Sequence, residues 1–245
     1  MRLYINTIVG FGLLLLACGD AAYNPDHDYV PPEERVSPLE DEQAEIAAFW
    51  LADSITAPLS LYDTISLDIQ LIREQWADSI PAVNMGIRMP WSPSYLGLHV
   101  GAGTADSMIS GEYDYWDDIP SAERIEAVDY FPQWGYVEIV FDGRFNLELV
   151  VDQYRELPGV SYAHLGYYVG DGPTWLPWRY DGRLVYVFHD RWGDCPAGCI
   201  HCDFHVFTVR HGYVAHELSA YDPGAEEDIP EPWYSIIEAQ YERLR

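Results

Sequence analysis

Tyr136-Val137-Glu138-Ile139-Val140-Phe141-Asp142-Gly143-Arg144-Phe145-Asn146-Leu147-Glu148-Leu149-Val150-Val151-Asp152-Gln153-Tyr154-Arg155-Glu156-Leu157-Pro158-Gly159-Val160 decides the fold class. Val137, Ile139 and Phe141 alternate with other residues, the period of a half-buried strand, and Asp142-Gly143 closes it. Asn146 is placed to cap a helix whose Leu147, Val150, Val151, Tyr154 and Leu157 form one apolar stripe. Pro158-Gly159 stops that helix, and residues 160 to 169 read as a returning strand. Ile125 to Tyr130 is a further strand, making 125–142 an adjoining antiparallel pair. The expectation is an α+β fold: a mixed or antiparallel sheet with helices packed on one face.

Working outward, Leu96, Leu98 and Val100 alternate as a strand. Met89-Pro90-Trp91-Ser92-Pro93 reads as a rigid loop before it, and Thr104 to Ser110 as a short helix after it. Ser37-Pro38-Leu39-Glu40 carries a capping Ser, Pro at the first helical position and Glu three after the cap. Leu39, Gln43, Ile46, Ala47 and Trp50 follow at helical spacing until Pro58. A second helix starts near Ser60, with Leu61, Ile65, Ile69, Ile72 and Trp76 on one face, and ends before Pro81. The polar faces of both helices are acidic, which suits packed helices better than membrane-lying ones. Toward the C-terminus, Leu184 to His189 is strand-like. Phe204 to Arg210 and Tyr213 to Leu218 flank the tight turn His211-Gly212. The expectation here is a C-terminal β-hairpin region and then a terminal helix bearing Ile236 and Ile237.

The first residues have another purpose. Arg2 precedes an apolar run, Leu3 to Ala17, that is shorter than the roughly 20 residues needed to span a bilayer. It has the form of an export signal. Leu15-Leu16-Ala17-Cys18 resembles the lipobox of bacterial lipoproteins. That resemblance implies cleavage after residue 17 and acylation of the Cys18 thiol, a stable anchor because several acyl chains are attached. Gly19 at the second mature position implies the outer membrane by the same resemblance. Residues 18–36, with several Pro and acids and few aliphatics, read as a disordered tether. Residues 37–245 then form a single α+β domain, with a possible subdivision near 170.

The net charge of −27 argues against nucleic acid and against broad contact with anionic headgroups. Nine Trp, nineteen Tyr and eight Phe provide a large core, with some left to face a ligand. The chain contains no Lys.

Cys195-Pro196-Ala197-Gly198-Cys199-Ile200-His201-Cys202 is open to three readings. In an oxidising compartment, Cys195 and Cys199 are positioned to bridge across the intervening turn, leaving Cys202 over. Alternatively Cys195, Cys199, Cys202 and His205 supply a thiolate and imidazole set suited to tetrahedral zinc. Cys199-Ile200-His201-Cys202 also has C-x-x-C spacing, but redox pairs of that kind open helices, and strand-like sequence follows here. The C-x3-C-x2-C spacing superficially matches the cluster loop of radical SAM enzymes, whose loop sits near the start of a cytoplasmic barrel rather than near the end of an exported chain.

Four pieces resemble an uncharacterised bacterial lipoprotein family, in order and spacing from about Pro81 onward. They are 141–146, 157–163, 170–173 and 192–200. The most specific is Gly193-Asp194-Cys195-Pro196-Ala197-Gly198-Cys199-Ile200. The resemblance implies that Cys195 and Cys199 act as a pair, with Cys202 a departure, and it implies no activity. Residues 136–169 more loosely resemble half of the inhibitor and propeptide domains of subtilisin-like proteases. That implies a ferredoxin-like fold and protein binding, by analogy alone.

No G-x-S-x-G, H-E-x-x-H or phosphate-binding glycine loop occurs. Trp91, Trp116, Trp134, Trp175, Trp178 and Trp192 fall in loops or at strand ends, beside acids, where they could grip a sugar or peptide. The expectation is a non-catalytic envelope module, lipid-anchored, without a cofactor, binding a protein or glycan. The alternative is an envelope hydrolase using carboxylates or a Cys/His zinc site.

Overall fold

The computed structural model describes residues 37–167, 172–193, 201–221 and 229–243. The expected export signal, Cys18, the expected tether, Cys195 and Cys199 lie outside them. The described chain is α+β, built on two four-stranded antiparallel sheets.

The first sheet contains β1 (Trp91–Val100), β2 (Ile125–Phe131), β3 (Tyr136–Phe141) and β4 (Val160–Tyr167), in the order β2-β3-β1-β4. Helix α3 (Ala102–Ser110) joins β1 to β2, and α4 (Val151–Arg155) joins β3 to β4. This β-α-β-β-α-β path with antiparallel pairing is the split, ferredoxin-like connection. Alternation works as expected: Leu96, Leu98, Val137, Ile139, Phe141, Ala163 and Leu165 point to one side, where they are buried. Ala105 and Met108 of α3 and Val151 and Tyr154 of α4 cover them.

Two expected elements change shape. The strand β1 begins at Trp91, inside the expected rigid loop, and its pairing with β4 is irregular between Trp91 and Leu96. The expected helix after Asn146 is a 3-10 turn, Leu147–Leu149, followed by the short α4, and the Asn146 side chain makes no cap. Two β-branched residues, Val150 and Val151, stand at the junction, where they favour a break in the helix.

The second sheet contains β5 (Thr174–Tyr180), β6 (Arg183–Trp192), β7 (His201–Arg210) and β8 (Tyr213–Tyr221), a meander in sequence order. It is larger than the expected hairpin region because β5 was not anticipated. His211 and Gly212 both have positive φ (50° and 75°), as the expected β7–β8 turn requires. Helix α5 (Trp233–Arg243) covers one face through Ile236 and Ile237, against Val185, Val187, Phe204 and Val206. Helices α1 (Glu42–Ala52) and α2 (Leu59–Trp76) cover the other, against Trp175, Tyr186, Phe188 and Phe207.

Helix α1 is capped by Asp41, whose carboxylate accepts from the Gln43 and Ala44 amides at 3.1 Å each. Ser37 is not the cap; its hydroxyl instead accepts from the Arg144 amide at 2.7 Å. Every residue from Ala44 to Trp50 is buried. Ile46, Phe49 and Trp50 enter the core of the first sheet, while Ala44, Ala47 and Ala48 enter that of the second. Among the described residues no helix is long and apolar enough to cross a membrane.

Candidate functional site

Among the described residues, the helices cover only one side of the first sheet. Register defines what stands on the other. Phe131 of β2 pairs with Tyr136 of β3, Tyr136 with His99 of β1, and His99 with Tyr162 of β4. These four side chains form one row across all four strands, about 14 Å from first to last at ordinary strand spacing. Beside it runs a second row, Asp129, Glu138, Gly97 and His164.

The rings touch continuously. Trp134, in the β2–β3 turn, lies 5.9 Å from Phe131, and Phe131 lies 5.7 Å from Tyr136. Tyr136 stacks on His164 at 5.5 Å, and His164 on Tyr162 at 5.8 Å. His99 sits among them, 5.7 Å from Tyr136 and from His164 and 6.0 Å from Tyr162. All of these lie in the range where aromatic pairs attract. Trp134 is 67% exposed and Tyr162 51%, and the rings between them are half-buried. Gly97 makes the plating possible. A Cβ there would stand 2.4 Å from Cε2 of Tyr136 and 2.6 Å from Nε2 of His164. Gly166 similarly leaves room for the Tyr95 ring.

Polar groups are set among the rings. The Tyr136 hydroxyl donates to Glu138 at 3.5 Å. Burial, and next the Glu138 charge, push that hydroxyl up to about 12, so it stays protonated. Nδ1 of His164 lies 2.9 Å from the Leu165 carbonyl and therefore carries a proton, leaving Nε2 as the acceptor whenever the ring is neutral. The Arg155 guanidinium stands 5.6 Å over the Tyr162 ring. The face thus offers flat apolar surface together with two carboxylates and two imidazoles.

The expected tryptophans divide. Trp91 and Trp175, expected to bind, are 1% and 0% exposed, so both are core residues. Trp175 donates through Nε1 to Gln43 at 3.1 Å. Trp178 packs edge-on against Trp50 at 5.5 Å, and Trp116 against Tyr113 at 5.1 Å; both are half-buried. Trp134 belongs to the aromatic face. Trp192 is exposed and stacks on His201 at 5.6 Å, in the second sheet and apart from that face.

The residues of the zinc alternative do not gather as far as they are described. Cys202 packs toward α5, whereas His205 pairs with Phe188 on the α1–α2 side. Strand residues three apart point to opposite faces. Nδ1 of His205 instead lies 2.7 Å from the Ser219 hydroxyl, which is also 2.9 Å from Nε2 of His216. Among the described residues no group of three His, Cys, Asp or Glu is placed to hold a metal ion.

Sequence reading missed His99, Tyr136, Tyr162, His164, Phe131, Asp129 and Glu138. Their signal was the complement of the apolar alternation: residues between Leu96, Leu98 and Val100 must face away from the core. No protein family, curated protein or solved structure matches the chain.

Proposed function

We propose that this chain is an exported lipoprotein, acylated on Cys18 and held at the outer membrane, whose first sheet binds glycan chains through its open face. The single observation that supports this reading is the unbroken ring surface from Trp134 to Tyr162, with carboxylates and imidazoles alongside. A pyranose ring has an apolar C–H face and a polar rim. The first suits exposed aromatic rings, and the second suits Asp129, Glu138, His99 and His164 as hydrogen-bonding partners. A four-strand row favours an oligosaccharide over a single sugar. Nucleic-acid bases would also stack on such a platform. Their phosphates would meet Asp129, Glu138 and a chain of net charge −27. The role is binding, without a catalytic step.

The test is retention of the mature protein on insoluble polysaccharides and peptidoglycan, followed by titration with oligosaccharides from whichever matrix retains it. Binding that is lost in a Trp134→Ala, Tyr162→Ala double variant of unchanged melting temperature supports the proposal. Retention on no glycan, or retention insensitive to both substitutions, overturns it.

A further inference from the structure

Glu45 is an acid in the first turn of α1 whose side chain is 1% exposed. Its Oε2 pairs with the Arg144 guanidinium at 2.8 Å and accepts from the Leu39 amide at 3.0 Å. Among the described residues its Oε1 meets no hydrogen-bond donor. Buried carboxylate oxygens are normally satisfied, so an orphan of this kind needs a reason. Glu42 also leans on Arg144, at 3.2 Å. Two carboxylates therefore share one guanidinium, and negative charge is left in excess.

Glu45 forms part of the wall of a cavity of about 420 Å³. Leu39, Ile55, Leu59 and Phe145 give that cavity apolar sides, and Thr56 stands at its exposed rim. The volume lies within the range of small-molecule sites and far exceeds the space of one water. Arg124, also in the wall, is engaged with the Ser37 carbonyl at 2.6 Å and with Asp142 at 3.3 Å. No residue of the aromatic face lines the cavity.

We propose that this cavity is a second, independent site, for a small primary amine. The ammonium head donates to Oε1 of Glu45 and balances the excess carboxylate charge, while a short apolar body lies against Leu39, Ile55, Leu59 and Phe145. A carboxylic acid of the same size is rejected by the orphan oxygen, and an alcohol supplies a donor without the charge.

The experiment uses the mature chain with n-hexylamine, n-hexanol and hexanoate as probes, followed by ligand-observed NMR and thermal shift. Hexylamine is expected to bind at least tenfold more tightly than hexanol, with hexanoate not bound. Glu45→Gln is expected to remove the preference for the amine. Thr56→Trp, at an exposed position, is expected to block the cavity while leaving Glu45 in place, so it carries the test if Glu45→Gln fails to fold. Equal binding of the three probes, no hexylamine binding, or hexylamine binding unaffected by Thr56→Trp overturns the proposal. So does a crystal of the soaked protein in which a water, undisplaced by the amine, donates to Oε1.

Discussion

The rings of Tyr136 and His164 come from β3 and β4, which are not neighbours, and they meet 5.5 Å apart above Gly97 of the intervening β1. Gly97 is therefore a test of the platform as well as of the sheet. In Gly97→Ala the new methyl group drives the two ring tips apart. Ring tips can swing outward, so the cost to stability should stay near the low end of overpacking, about 1 kcal/mol. Glycan binding should fall by about tenfold, equivalent to about 1.4 kcal/mol. Thermal unfolding and a binding isotherm, measured on one preparation, separate the two effects.

Exposed and buried tryptophans should behave oppositely. Trp134→Ala and Tyr162→Ala are each expected to weaken glycan binding by about tenfold, and to change stability by no more than about 0.5 kcal/mol. Trp175→Ala empties a fully buried site and removes one of the two donors to Gln43, whose Oε1 still accepts from Arg73, so a loss of about 3–5 kcal/mol is expected from the cavity. Urea unfolding of the three variants checks the contrast. Equal destabilisation by all three would contradict the assignment of faces.

Acid stability should carry two opposed signatures. Burial lowers His189 to about 3, with the Arg191 charge adding to the effect. Its neutral ring stabilises the fold above the ordinary value of 6.5, and that stability is lost as pH falls toward 3. Asp68 is shifted the other way: burial raises its carboxyl above the ordinary 3.8, partly offset by the Tyr186 hydroxyl donating at 2.6 Å. Its contribution is fully present below 3.8 and is lost as pH rises through the raised value. Asp68→Asn keeps an acceptor for Tyr186 and removes the ionisation. It should be at least as stable as the parent at pH 7 and should lose stability more steeply on acidification. Melting temperatures by circular dichroism between pH 3 and 7.5 measure both slopes.

The proposed export makes a covalent prediction. Cells labelled with radioactive palmitate should yield labelled protein from the parent gene and none from Cys18→Ser. In the mature unfolded protein, thiol titration should find Cys202 reactive and Cys195 and Cys199 unreactive until a reductant is added. Three reactive thiols before reduction would overturn the expected bridge between Cys195 and Cys199.

Local signals were legible where periodicity was clean. Leu96, Leu98 and Val100, and Val137, Ile139 and Phe141, marked two strands of the first sheet because one of its faces is dry and the other is not. The second sheet was harder to see. Pro177 lies inside β5, which tolerates it as an edge strand, and Trp175 and Trp178 beside it looked like loop aromatics. The dipeptide Asp181-Gly182, both residues at positive φ (50° and 71°), was the available hairpin signal. Ser37 misled because its capping pattern was complete, yet Asp41 was closer to the buried run and took the role. The aromatic face needed register as well as period. Phe131, Tyr136, His99 and Tyr162 are scattered over 64 positions of sequence and become one row only when four strands pair.

One short helix is sealed into both cores, giving Phe49 to one sheet and Ala48, its neighbour in sequence, to the other. Such an element ties the fate of the two halves together. A fragment ending near residue 170 would leave the alanine side of that rod wet, and a fragment beginning there would expose Trp175, Tyr186 and Phe188 to solvent. The molecule should therefore melt in one step and resist being dissected.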